Sequence, residues 1–254
     1  MSTYVATAHK LFMGGLDVSC FANSYSLDLT ADNVECTTFC SAGDREYKQG
    51  LRSWASGFDW YADFAAAANT ASPLVPGEVL TPANQGSQFN VTWAPVGTEG
   101  SWCYLSDGVL GNITILSGTV GDMAMMHGEL MPADRTVGHR MVHGILEANR
   151  TVSSSSNTTG ASTLGAISAT QTMYASLHVF QLTGTSPTLD VVVQSDTTGF
   201  GSPTDQITFA QATTRSGQWG SKAGAVTDTF WRVKWTLGGS GSPTATFAVS
   251  MGII

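Results

Sequence analysis

The sequence predicts an all-β protein, and three observations carry that reading. Charged residues make up only 12% of the 254-residue chain, while Gly, Ser and Thr are abundant, a balance that favours short strands and turns over long charged helices. Apolar and polar residues alternate with a period of two in run after run. Clusters of Gly, Ser, Pro, Asn and Asp separate those runs, as strand-to-strand turns require. The length admits one large all-β domain or two ordinary ones. The reading adopted is a β-barrel or sandwich domain with a short helix over residues 1–150, followed by a C-terminal β-sandwich over 151–254.

The first strict alternation follows Asn23, with Tyr25, Leu27 and Leu29 on one face and Ser24, Ser26, Asp28 and Thr30 on the other. One face packs and the other is wet. The stretch TADNVECTTF (30–39) continues the alternation past Ala31-Asp32-Asn33, so the two runs are expected to pair as an antiparallel hairpin. SAGDREYKQGL is a charged loop, and WASGFDWYADFAAAAN reads as a strand passing into a short Ala-rich helix, its aromatic residues assigned to the core. Residues 70–87 hold three prolines and two glycines, which excludes a central strand and fits an excursion loop. QFNVTW, SWCYLS and GVLGNITILSGTVGD then complete a first β domain.

Between 131 and 165 the composition shifts, and ANRTVSSSSNTTGAST reads as a polar linker or extended arm that places the boundary there. Five short strands are expected beyond it, in YASLHVFQLTG, TLDVVVQSD, DQITFAQAT, TFWRVKWTLG and TATFAVSMG. In the fourth, Trp231, Val233, Trp235 and Leu237 share one face, a sandwich or jelly-roll signature.

The net charge of −8 is uneven: residues 1–130 contain thirteen Asp and Glu against four Lys and Arg. Such a field repels phosphate backbones and argues against a tight nucleic-acid groove, but it suits an acidic wall past which DNA slides without sticking. The N-terminus has no apolar core of the signal-peptide kind, and no window approaches a membrane span. Synthesis in a cytoplasm, with Cys20, Cys36, Cys40 and Cys103 reduced, is the expectation.

Motifs that carry chemistry are sparse. His139 and His143 in GHRMVHG have the i, i+4 spacing of zinc proteases but lack the Glu that acts as base, and glycines flank them. Met123, Met125, Met126 and Met131 surround His127, a pattern of core or interface filling. Cys36 and Cys40 have no second pair to complete a zinc ribbon. There is no phosphate loop and no GxSxG elbow. No catalytic residue, cofactor or metal is expected. Trp219, Phe230, Trp231 and Trp235 could stack sugars, although alternation directs Trp231 and Trp235 inward.

Residues 10–130 resemble the tail tube (major tail) proteins of long-tailed bacteriophages in their order of features: MGGLDVSCFANSYSLDLTADNVECTTF, a loop REYKQGL, and the returning strand GVLGNITILSGTVGD. The run GQWGSKAGAVTDTFWRVKWTLGGSGSPTATFAVSMGI is similar to the C-terminal part of some such proteins. The chain is longer than the smallest, single-domain tube subunits, so its second half is an added domain or a diverged second copy of the first.

The resemblance implies a structural virion protein, made in the bacterial host, whose copies close a β-barrel around a channel and stack as rings that conduct DNA during ejection. Residues 24–40 would be barrel wall, with Ser24, Ser26, Asp28 and Thr30 lining the lumen. Loop residues Asp44, Arg45, Glu46 and Lys48, with Glu78 in the excursion, would meet the next ring. Partners implied are further copies of the chain in a six-fold ring, or a three-fold ring with pseudo-six-fold symmetry, together with tape measure, tail terminator and baseplate hub proteins. A minor tail or decoration protein that binds host glycan through its C-terminal sandwich is the alternative, and a hydrolase with a spatially assembled site is the other.

Overall fold

The computed structural model describes residues 8–38, 44–62, 79–133, 141–153 and 156–254, and in them the chain is β throughout apart from turns and one short 3-10 segment at Pro82–Asn84. The first half supplies β1 (Lys10–Met13), β2 (Leu16–Asp17), β3 (Ala22–Tyr25), β4 (Asp28–Glu35), β5 (Tyr47–Tyr61), β6 (Gln88–Ala94), β7 (Trp102–Ser117) and β8 (Met125–Pro132). The second supplies β9 (Val142–Val152), β10 (Ser156–Thr158), β11 (Ser162–Thr163), β12 (Thr172–Asp196), β13 (Thr204–Thr208), β14 (Ser216–Ala223) and β15 (Phe230–Ile253). The main path of neighbours runs β13-β12-β15-β9-β7-β6-β1-β2, and β8 takes over from β9 along the same edge of β7 beyond Leu105, with β5 next to it and β3 and β4 on β5. Among the described residues the sheet does not close on itself.

The expected all-β class holds, while several local expectations change. The runs 23–30 and 30–39 do not pair with each other. Tyr25 lies opposite Phe58, Leu29 opposite Trp54 and Glu35 opposite Tyr47, so both runs lie along β5, whose fifteen residues offer a longer ladder than a tight turn at 31–33. SWCYLS and GVLGNITILS form one strand, because Asp107-Gly108 is held on both edges: Asn90 faces Asp107, and Gly108 faces both Phe89 and Pro132. The expected Ala-rich helix lies outside the described residues. Of the excursion loop, residues 79–87 are described, and Val79 and Leu80 return into the core.

In the second half β12 and β15 run antiparallel from Met173 opposite Ile253 to Asp196 opposite Phe230. Each joins two of the strands expected separately. The pair is interrupted where Gly184 and Gly239 adopt positive φ of 115° and 113°, angles that side-chain-bearing residues rarely adopt. The ladder bends back there. Trp235 and Phe247 on β15 would stand about 40 Å apart on a straight strand, yet their ring centroids are 5.7 Å apart. Trp231, Val233, Trp235 and Leu237 are all buried in the cluster this bend encloses, as alternation predicts. The segment read as a linker or arm is laid along β15, with Asn157 opposite Trp235 and Ser162 opposite Trp231.

A second cluster is built from Trp54, Phe58, Trp60, Leu80, Trp93 and Leu130. A third joins the halves, with Phe12, Leu105, Leu146, Tyr174 and Ala248 in contact. Beside it sits a buried polar hub. His178 donates from Nδ1 to the Gly14 carbonyl at 2.6 Å, and Thr92 Oγ1 meets its Nε2 at 2.9 Å and Ser250 Oγ at 2.7 Å. Asn90 Nδ2 donates to Ser176 Oγ at 2.7 Å and to the Leu177 carbonyl at 2.9 Å. Buried polar groups need such partners, so the hub fixes how β6 seats on β12 and β15.

Candidate assembly surface

Strand β5 sets up the surface by its alternation. Trp54, Ser56, Phe58 and Trp60 point into the core, whereas Ser53, Ala55, Gly57 and Asp59 point outward. Across the ladder Asp59 faces Ser24 on β3 and His127 on β8, and His127 faces Thr114 on β7. Four strands therefore present one polar row. Ser24 Oγ donates to Asp59 Oδ2 at 2.6 Å, His127 Nδ1 lies 2.9 Å from Asp59 Oδ1, and Asn112 Nδ2 donates to Glu129 Oε2 at 2.5 Å. The Ser24 hydroxyl, and after it the His127 ring, hold the Asp59 carboxyl below the ordinary carboxylate value.

All four residues assigned to the wet face are exposed: Ser24, Ser26, Asp28 and Thr30. They share the outward face of β5, since Ser26 donates its backbone N–H to the Gly57 carbonyl at 2.8 Å, Asp28 pairs with Ala55 and Thr30 with Ser53. Asp59, Asn112, His127 and Glu129 extend that face. Sequence reasoning missed them because their strands were read for aromatic and methionine content. The signal was present in the alternation of WASGFDWY and MMHGELM, which leaves Asp59, His127 and Glu129 on the side opposite the buried Trp60, Met126 and Leu130.

Beyond Trp54, β5 pairs with β4 alone, and every residue of β4 is exposed. This two-stranded ribbon carries Leu29 and Leu51 with 62% and 80% of their surface in solvent, together with exposed Val34 and Tyr47. A lone hairpin is marginal in water, and clustered apolar exposure marks a contact surface. Asp44, Arg45, Glu46 and Lys48 are exposed at its far end. There Glu46 accepts from the Cys36 N–H at 2.8 Å and donates its own N–H to Thr37 Oγ1 at 3.1 Å. Glu78 lies outside the described residues.

The sheet also has open edges. Among the described residues β3 and β4 bond to β5 alone, and β7 beyond Leu110 bonds to β8 alone. Unpaired N–H and C=O groups on such edges are templates for another strand.

Other residues singled out in the sequence do not converge. His139 lies outside the described residues, and His143 stands on a strand, stacked on exposed Trp102 at 4.6 Å. Cys20, Cys36 and Cys103 are free thiols; Cys40 lies outside the described residues. Trp231 and Trp235 are buried and offer no sugar platform. The Ser24, Asp59 and His127 side chains occur in the wrong order for an activated nucleophile, because the carboxylate stands between hydroxyl and imidazole.

No family model and no curated protein matches the sequence. Among solved structures the chain is similar to a protein of the virion of a native gene transfer agent particle, with 13% identity, 52% of this chain and 95% of that one covered, and a TM-score of 0.38. A protein of the tail of an empty gene transfer agent particle with C6 symmetry aligns at 14% identity over 48% of this chain and 90% of that one, with a TM-score of 0.36. The Dit protein of SPP1, described as a paradigm of the hub adsorption apparatus of phages infecting Gram-positive hosts, covers 97% of this chain and 99% of its own at 8% identity and a TM-score of 0.35.

Proposed function

We propose that the chain is a structural virion subunit of the tail tube type, which polymerises into stacked rings and conducts DNA. One observation carries this reading: a sheet of β3, β5, β8 and β7 that is packed on one face and polar on the other, extended by the exposed β4–β5 ribbon and open at both edges. Bonding the outer edge of β3 and β4 in one copy to β7 beyond Leu110 in the next satisfies both edges and turns the polar faces toward a common axis. The lumen then carries Ser24, Ser26, Asp28 and Thr30 with Asp59 and Glu129, an acidic and hydroxylated wall that repels phosphate. The chain needs no catalysis or cofactor for this work. Asp44, Arg45, Glu46 and Lys48 at the ribbon end reach toward the adjacent ring. The first 150 residues form the wall and the remainder an outer domain. Other tail proteins cap the polymer at its ends.

Electron microscopy of the purified chain tests the reading. Hollow tubes with rotational symmetry are expected. A chain that stays monomeric at high concentration, with fast amide exchange along β4 and distal β7, overturns it.

A further inference from the structure

The four-stranded sheet has an apolar protrusion at one end and apolar clefts at the other. Past Ser117 the β7–β8 hairpin continues as a turn closed by the Asp122 N–H on the Thr119 carbonyl at 3.0 Å, and Leu116, Val120 and Met123 stand exposed on it. The hairpin end lies beside Tyr61, which pairs with Met125. About 23 Å away along β5, at Trp54, exposed Leu29 separates two clefts. One of about 310 Å³ is lined by Tyr25, Leu27, Trp93 and Tyr104, and one of about 540 Å³ by Trp54, Met141 and Ile254. Lys10 lines the first, where Asp17 holds its ammonium at 3.1 Å, and Arg52 lines the second. The only charged residue of the turn 117–124 is Asp122.

We infer that the β7–β8 hairpin end of one copy seats in the clefts beside Leu29 of a copy in the next ring, with Asp122 directed at Arg52. The occupant is a second copy because the chain itself carries an apolar knob whose one charge, Asp122, is opposite in sign to the Arg52 that lines the cleft. Knob and cleft are different surfaces, at opposite ends of the four-stranded part of the sheet, so the contact is heterologous. A heterologous contact along an axis does not close, and it propagates a filament. Burying Val120 and Met123 against Tyr25, Leu27 and Trp93 supplies the apolar centre that stable interfaces have, and the Asp122 pairing sets the orientation. This inference rests on the ring-forming reading above and names the surface by which rings stack.

The test uses the full chain with Val120→Asp and Met123→Asp together, both on exposed positions, and with Asp122→Lys alone. Negative-stain images and sedimentation are expected to show discrete rings and no tubes for the double variant. For Asp122→Lys the concentration needed for tubes should rise at least tenfold, and Arg52→Asp in the same chain should restore part of it. Circular dichroism identical to that of the parent chain verifies folding. Parent-like tubes from the double variant overturn the inference and leave the ring reading intact. Loss of rings together with tubes from a folded double variant also overturns it, since the hairpin end then acts within a ring. A parent chain that forms no rings overturns the earlier reading and this one with it.

Discussion

His127 and Asp59 meet across the β8–β5 ladder with Nδ1 and Oδ1 2.9 Å apart, while Ser24 occupies the other carboxylate oxygen at 2.6 Å. Both oxygens of Asp59 are thus engaged although the group is half in solvent. Its lowered pKa means that its contribution is present above the ordinary value of 3.8 and is lost as pH falls through the folded one. Ser24→Ala removes the larger cause, so the carbon-13 carboxyl titration of Asp59 should move upward. Stability should change by no more than about 0.5 kcal/mol, because exposed pairs are screened.

Burial gives the core hub the opposite character. His178 is pulled from 6.5 down to about 4, chiefly by desolvation, with the Gly14 carbonyl and the charge of Asp17 opposing the shift. A base with a depressed folded pKa stabilises the fold fully above the unfolded value, and that share is lost as pH falls from about 6.5 to 4. The loss amounts to about 3 kcal/mol. Thermal unfolding of the chain should show a drop across that window that His178→Gln flattens, even if Gln lowers stability throughout.

Glu147 works in the other direction. It is buried on β9, accepts from Thr159 Oγ1 at 2.5 Å and Ser162 Oγ at 2.6 Å, and is pushed from 4.5 up to about 7 by desolvation, against those two hydroxyls. Stability is lost as pH rises from about 4.5 through 7, by about 3 kcal/mol when complete. Glu147→Gln keeps an acceptor oxygen and removes the charge. Its melting temperature should exceed the parent's at pH 8 and converge with it at pH 4.5.

Gly128 lies opposite Phe58, and a Cβ built on it would fall 2.5 Å from the Phe58 ring and 2.9 Å from Leu80. Phe58 is stacked on Trp60 at 4.6 Å and cannot retreat. Gly128→Ala should destabilise by about 1–3 kcal/mol in chemical denaturation. Gly57, with only ordinary contacts for a Cβ, should accept alanine.

Leu29→Asp with Leu51→Asp replaces two exposed apolar groups on the β4–β5 ribbon. The isolated chain should keep its stability within about 0.5 kcal/mol. Assembly, followed by light scattering, should be lost.

Alternation made most of this surface legible. Ser24 and Ser26 are exposed while Tyr25 and Leu27 are partly buried, as period two requires, but the alternation fails along β4, where Leu29, expected to pack, is exposed together with Asp28 and Thr30 because no other layer covers the ribbon. Trp231 and Trp235 are buried, as alternation directs. Pairing partners were not legible. The choice of β5, rather than a local hairpin, depends on ladder length and on Trp54 and Phe58 packing beneath it, which are long-range properties. Asp59 and His127 are 68 positions apart, and no spacing rule connects them. The ladder of β12 and β15 was hidden because Gly184 and Gly239 read as strand ends when they are bends within one pair.

Strand β15 bonds to β12, β9, β10 and β11, so four strands keep an open edge until it is in place. Every one of those strands leaves the ribosome before the segment that holds it. During that interval β9 is already needed beside β7, yet lacks its other neighbour. A chain still lacking β15 therefore exposes unpaired strand edges, the feature that makes incompletely folded β proteins prone to aggregate.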